Sequence, residues 1–413
     1  MEQQKQLSPE THNLEKELRT QWRITIPLVA MNFTWFAKTA ITTAFLGRLG
    51  ELPLAGATLG FTFANVTGFS LLNGLCGAME PICGQAFGAN NFRLLHKTLL
   101  MSTTLLLSVS VPIAFLWLHV DLILIYFGQH RDLAAVSRRY LIFLIPDLVV
   151  ISFLCPLKAY LSTQNVTVPI MLSSATAAAI HIPATLVLGR ARGLEGIAMA
   201  VWISDVVVAI LLAIYLILWE RRKGGNWKEG GWLEQSGAEW LRLLKLSGPC
   251  CLTTCLEWWC YEIVVLLTGR LPSAQRSVGV LAIVLNFDYL LFSVMLSLAT
   301  CASVRVSNEL GAGRPRAARL AARVCLCVGA GAGVVGAGSD GLPLGVVLAF
   351  KVGMGLGGLL GGLFGGVVVC LVLLFVFIAR IDWDDESRKA LIMQDLVDDD
   401  DEDHNHIPIP IPS

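Results

Sequence analysis

Charge is what this chain has least of. Asp, Glu, Lys and Arg make up only 15% of its 413 residues, while 55% are hydrophobic. A soluble domain of ordinary composition would be about a quarter charged. No cleavable leader is expected either, because the opening stretch MEQQKQLSPETHNLEKELRT is polar and of mixed sign. It suits a solvated tail or a short surface helix. No Walker motif, dinucleotide fingerprint or nucleophile triad is present, so neither an enzyme nor a cofactor is expected. Histidine numbers only 7, and none stands with cysteine at a zinc-ligand spacing. The 11 cysteines lie almost wholly inside apolar runs and read as small buried residues, with no metal site.

What the chain has in plenty is apolar runs long enough to cross roughly 30 Å of hydrocarbon as helices. Candidate spans fall at 24–46, 54–79, 98–118, 140–162, 166–188 and 194–219. After a Gly- and Trp-rich hydrophilic linker at 220–245 they resume at 246–268, 278–303, 317–338 and 355–378. The piece at 342–351 is too short to cross. This is the pattern of an all-α polytopic membrane protein with about 10 transmembrane helices. With the amino terminus inside, 21 Lys and Arg fall on inner segments against 8 on outer ones, which places both termini in the cytosol. The same rule accounts for the arginine-rich loop RVSNELGAGRPRAARLAAR without a nucleic-acid partner. The end of the chain, DLVDDDDEDHNHIPIPIPS, reads as disordered and solvated.

The chain also repeats itself. Pro27 matches Pro249 and Gly47 matches Gly269 at an offset of 222, and Gly88 matches Gly311 at 223. Both halves then run in the same direction, as a parallel repeat about an axis along the membrane normal. The offset breaks after about Gly338: GLEGIAMAV at Gly193 finds its counterpart GLGGLLGGL at Gly355, an offset of only 162. The second half is therefore short by about 61 positions, the length of two membrane-crossing helices. The expected organisation is an N-tail (1–20), a six-helix half (21–219), a cytosolic linker (220–245), an incomplete second half (246–380) and an acidic tail (381–413).

An ionisable group at membrane depth costs several kcal/mol unless it is neutralised or paired, so each is a functional candidate. Glu257 and Glu262 lie in PCCLTTCLEWWCYEIVVLLTG, with Glu257 near mid-span, and Asp288 is midway along a later span. A proton could be carried there; a structural hydrogen bond is the competing reading. Asn286, Trp258, Trp259, Tyr261 and Tyr289 could form a cavity wall able to stack on planar or cationic solutes, although aromatics in a span also serve as packing. Asp147, Asp205 and His181 are plausible intramembrane contacts, and Lys38 could snorkel or pair with one of them. Glu80 and Pro81, in EPICGQAFG with Gly84 and Gln85, mark a shaped helix end.

The motifs LEWWCYEIVVLLTGRLP, RVSNELGAGRPRAARLA, FLGRLGELPLAGATL and EPICGQAFGANN together resemble the multidrug and toxic compound extrusion (MATE) family, in its plant DETOXIFICATION branch. The resemblance implies two helical lobes about a central cavity, exporting organic solutes in exchange for protons. It also implies that Glu257 is the cation-coupled acid of the second lobe, with Glu262 next, and that Asn308, Glu309 and Gly311 belong to a structural motif. Two departures stand out. Thr42 occupies a first-lobe position where many bacterial members carry Asp, which removes that residue as a coupling group, and two second-lobe helices are missing. The expectation is a monomeric antiporter for small organic solutes in a plasma, vacuolar or other endomembrane. A truncated, non-transporting paralogue with a partner or regulatory role is the alternative.

Overall fold

The computed structural model describes residues 9–223, 232, 235–268, 274–333 and 375–392, with isolated positions between 354 and 372. The side chains of 264–291, the fragment 342–351, most of the span expected at 355–378 and the tail after 392 lie outside the described residues.

The described chain is helical throughout. Helix α1 (Pro9–Arg48) passes through Pro27 without ending. It starts well before residue 24, so most of the expected N-tail belongs to it. Glu17 and Gln21 are buried on this extension, against the second half of the chain. Gly50 then turns the chain with φ 118°, a left-handed value that disfavours any side chain. The second span is built of α2 (Glu51–Ala64), a π turn (Asn65–Phe69), α3 (Ser70–Cys76) and α4 (Met79–Gly88). The π turn is fixed from outside: Trp117 Nε1 donates to Thr67 Oγ1 at 3.0 Å. Helix α5 (Phe92–Leu118) opens on Asn91, whose side chain accepts from the Leu94 amide and satisfies an orphan donor of the first turn. The short α6 (Val120–Tyr126), then α7 (Arg131–Thr163), α8 (Val168–Arg192) and α9 (Leu194–Lys223) complete the first half. Six helical segments, up to Arg222, are long and apolar enough to cross a membrane among the described residues.

The linker is shorter than the composition suggests. Helix α10 (Gly237–Thr268) begins inside it, on a capping box: the Ser236 amide donates to Glu239 and the Glu239 amide to the Ser236 hydroxyl. It is followed by α11 (Ala274–Gly311) and α12 (Pro315–Gly333). Leu72, Leu95, Leu106, Trp117, Tyr140, Leu141, Leu144 and Tyr160 are fully buried within the first half. Phe115, Phe153, Leu122 and Val187 face outward, as lipid-facing residues must.

The halves meet where α4 crosses α11. Glu80 is hydrogen-bonded to the side chains of Thr300 and Ser303, and Gly84 packs on Ser307. Gly88 packs on the Asn308 backbone, and Gly311 on that of Gln85. Glu80 and Ser303 are 223 positions apart, as are Gly84 and Ser307, Gln85 and Asn308, and Gly88 and Gly311. Glu80 and Gly84 thus face their own repeat partners, while Gly88 on Asn308 and Gly311 on Gln85 are one contact and its exchanged counterpart, as a pseudo-twofold axis through the crossing requires. Glycine is needed here because a Cβ at Gly88 or Gly311 would run into backbone of the other half.

Candidate functional site

Inside the first half, α1, the second span, α7 and α9 line a partly open cavity of about 90 Å³ bordered by Lys38, Thr42, Phe69, Asn73, Asp147 and Asp205, among others. Helical spacing places Lys38 and Thr42 one turn apart on one face of α1. Lys38 Nζ meets Asp205 Oδ1 at 2.6 Å, with both side chains largely buried. Asp147 is 2% exposed, and its Oδ1 has no hydrogen-bond partner among the described residues. A buried charge survives in hydrocarbon only when paired, so Lys38 and Asp205 hold each other in place. Asp147 lies beside that pair with one carboxylate oxygen left over among the described residues.

His181 closes the network behind the cavity and is fully buried. Its Nε2 lies 3.0 Å from Thr42 Oγ1 and its Nδ1 2.9 Å from Ser204 Oγ. Thr42 is therefore engaged in the site through its hydroxyl. Lys38, Asp147, Asp205 and His181 are each visible in the sequence as intramembrane polar groups; their convergence from four helices is not.

The LEWW stretch lies elsewhere, on the seam between halves. Trp258 packs against the first-half core, and Trp259 Nε1 donates to the Val66 carbonyl at 3.0 Å. Glu257 and Glu262 are half-buried on α10, and the Tyr261 ring meets Phe292 edge-on at 6.3 Å. The π turn joins the two regions. It offers Val66 to Trp259 and carries Phe69, which lines the first-half cavity. Such turns recur at functional sites because the extra residue re-aims the groups around it. The side chains of Asn286, Asp288 and Tyr289 on α11 lie outside the described residues.

The structural-motif residues come together at the α4–α11 crossing. Glu80, Gly84, Gln85, Asn308 and Gly311 all face the seam, and Pro81 lies on α4 beside them. Asn308 Nδ2 donates to the Thr163 carbonyl at 3.0 Å, and Glu309 pairs with Arg305 and Arg314 at 2.9 Å each.

Two related helical halves, closed against each other on the linker side and carrying buried charge in the membrane, define a membrane transporter. The MatE family model matches residues 27–187 and again 249–338. The second match starts where the repeat offset places the counterpart of the first. The chain belongs to this family, which is one of membrane efflux transporters. It is 52% identical to Protein DETOXIFICATION 56 of Arabidopsis thaliana over 443 aligned residues, covering 91% of this chain and 90% of that protein. To Protein DETOXIFICATION 49 of the same plant it is 39% identical over 78% of this chain and 64% of that protein. The crystal structure of the eukaryotic MATE transporter AtDTX14 superposes with a TM-score of 0.80 at 25% identity, covering 92% of this chain and 99% of that one.

Proposed function

We propose that this chain exports small organic solutes, cationic or planar, in exchange for protons by alternating access, working as a monomer. Coupling is divided between Asp147, with the Lys38–Asp205 pair, in the first half, and Glu257, supported by Glu262 and Asp288, in the second. The observation that carries this reading is the partly open cavity that holds, among the described residues, a carboxylate oxygen without a partner beside a buried ion pair. Its volume of about 90 Å³ admits several waters, far less than the hundreds of Å³ that a drug-sized molecule fills. A coupling ion fits there and an organic solute does not. The Lys38 ammonium already provides the positive charge against Asp205, which leaves a sodium ion poorly matched and favours a proton on Asp147. Solute is then left to the space between the halves, beside α10 and its LEWW stretch.

Both termini and the linker are assigned to the cytosolic side of a plasma, vacuolar or other endomembrane, on the Lys and Arg asymmetry. Proteoliposomes with an imposed pH gradient test the coupling. The wild-type chain should export an organic cation, slowly, as protons run down their gradient in the opposite direction, and Asp147→Asn and Glu257→Gln should each abolish that export while inserting normally. Export undiminished in both variants, or driven by sodium with the pH clamped, would overturn the reading. The competing reading, a non-transporting paralogue, draws on the second family match, which stops at 338.

A further inference from the structure

Glu17 on α1 and Glu239 on α10 are 222 positions apart. They are therefore repeat partners, on the leading helix of each half. Both are at the linker side and nearly buried, at 8% and 9% exposure. Glu17 accepts from Arg305 Nε at 3.0 Å and Nη2 at 2.7 Å, a bidentate pair, and from Gln21 at 3.0 Å. Glu239 Oε1 accepts from Lys97 Nζ at 3.3 Å, while its Oε2 serves the capping box. Each pair joins opposite halves. Glu17 binds first-half α1 to second-half α11, and Glu239 binds second-half α10 to first-half α5. The α4–α11 crossing lies between them, with its own reciprocal contacts.

From this arrangement we infer that Glu17 and Glu239 are the two arms of one latch that holds the transporter closed on the linker side. The inference rests on the alternating-access reading above. A pair inside one half would ride with it as it rocks. These two pairs join moving bodies, so opening that side must separate both and expose the parted side chains to entering water. The latch therefore sets how often the linker side opens, and contributes nothing to the coupling chemistry. Because both pairs span the same two bodies, releasing either arm loosens the same rigid-body closure and opens the other edge as well.

Native thiols report this without engineered cysteines. Cys301 is fully buried and its Sγ meets the Gln21 carbonyl at 3.6 Å, on the Glu17 edge. Cys250 packs on Gly77, on the Glu239 edge. Cys83 is fully buried in the first-half core and controls for unfolding. The full chain in lipid nanodiscs is labelled with a charged maleimide, and each site is read by peptide mass spectrometry. Glu17→Gln should raise labelling at Cys250 as well as Cys301. Glu239→Gln, which keeps the capping box, and Lys97→Gln should raise it at Cys301 as well as Cys250. Each rise should be at least about tenfold, since releasing a buried pair shifts a two-state equilibrium by that much or more, with Cys83 unlabelled throughout. A rise confined to the thiol nearest the substitution, no rise at all, or labelling of Cys83 in all three variants would overturn the latch. No gradient or solute is used, so a chain that fails to couple protons leaves this test intact. A chain that exports normally with only local labelling refutes the latch alone.

Discussion

Lys38 is the residue on which the first-half cavity depends. Removing its ammonium leaves Asp205 buried with its ion-pair partner gone, which costs about 3–5 kcal/mol in comparable sites. Lys38→Gln should therefore lower the temperature at which half the purified protein stays monodisperse. Lys38→Gln with Asp205→Asn should recover most of that loss, since neither charge is then stranded. Equal damage from the single and double variants would mean that the pair is not the stabilising contact. His181 makes a milder case. Its ring bonds Thr42 and Ser204; Ser204 keeps its bond to the Ala200 carbonyl, so His181→Ala strands the Thr42 hydroxyl at about 1–3 kcal/mol, readable in the same melt. At this scale the sequence is half legible. An ionisable group inside an apolar run announces itself singly, because hydrocarbon makes it expensive. Which of these groups meet is decided by how α1, α7, α8 and α9 pack, and no periodicity reports that. Mid-span position gives Glu257 its weight in the sequence; the cavity among the described residues forms around residues from the other half.

Elements meet here through glycine, and the sequence repeat aligns Gly88 with Gly311. The reason for both emerges only at the crossing of α4 and α11, where each lies against backbone of the opposite half. Gly311→Ala puts a methyl into the Gln85 backbone, which cannot step aside as a flexible side chain would. It should weaken closure on the linker side and lower thermal stability, whereas Gly248→Ala on α10, with open space around it, should be silent. Equal melting temperatures for the two variants would show that the crossing is loose enough to take a side chain. Hydropathy misplaces the starts of α1 and α10 for a common reason. Both begin in polar sequence that is held by polar contacts and not by apolar burial: Glu17, about two turns into α1, and Glu239, in the first turn of α10, pair across the seam, and Glu239 also closes a local capping box. Hydropathy finds only the part of a helix that lies in lipid.

At the scale of the whole molecule the two halves are unequal, and three observations agree on how. The repeat offset breaks after about Gly338, where it falls from 223 to 162. The second family match ends at 338, having begun at the counterpart of the first. The alignment with Protein DETOXIFICATION 56 runs over 443 positions although 91% of 413 residues is only about 376, so about 67 positions face no residue of this chain. Two helices are thus the natural size of the difference. In hydrocarbon every backbone polar group needs a partner, and a piece as short as 342–351 cannot span. A second half short of two helices has less surface with which to shield Glu257 and to keep lipid from the space between the halves. A solute path open to the bilayer loses alternating access, since it is never sealed on one side. The latch and the crossing are untouched by this loss, because both are built from α1, α4, α5, α10 and α11. The chain as it stands should accordingly fold and close on the linker side, yet export slowly. Inserting the missing helices from a full-length relative after Gly338 should restore export at matched expression. If the short chain moves solute as fast as the restored one, the two helices are dispensable and the second-half acids need no such shield.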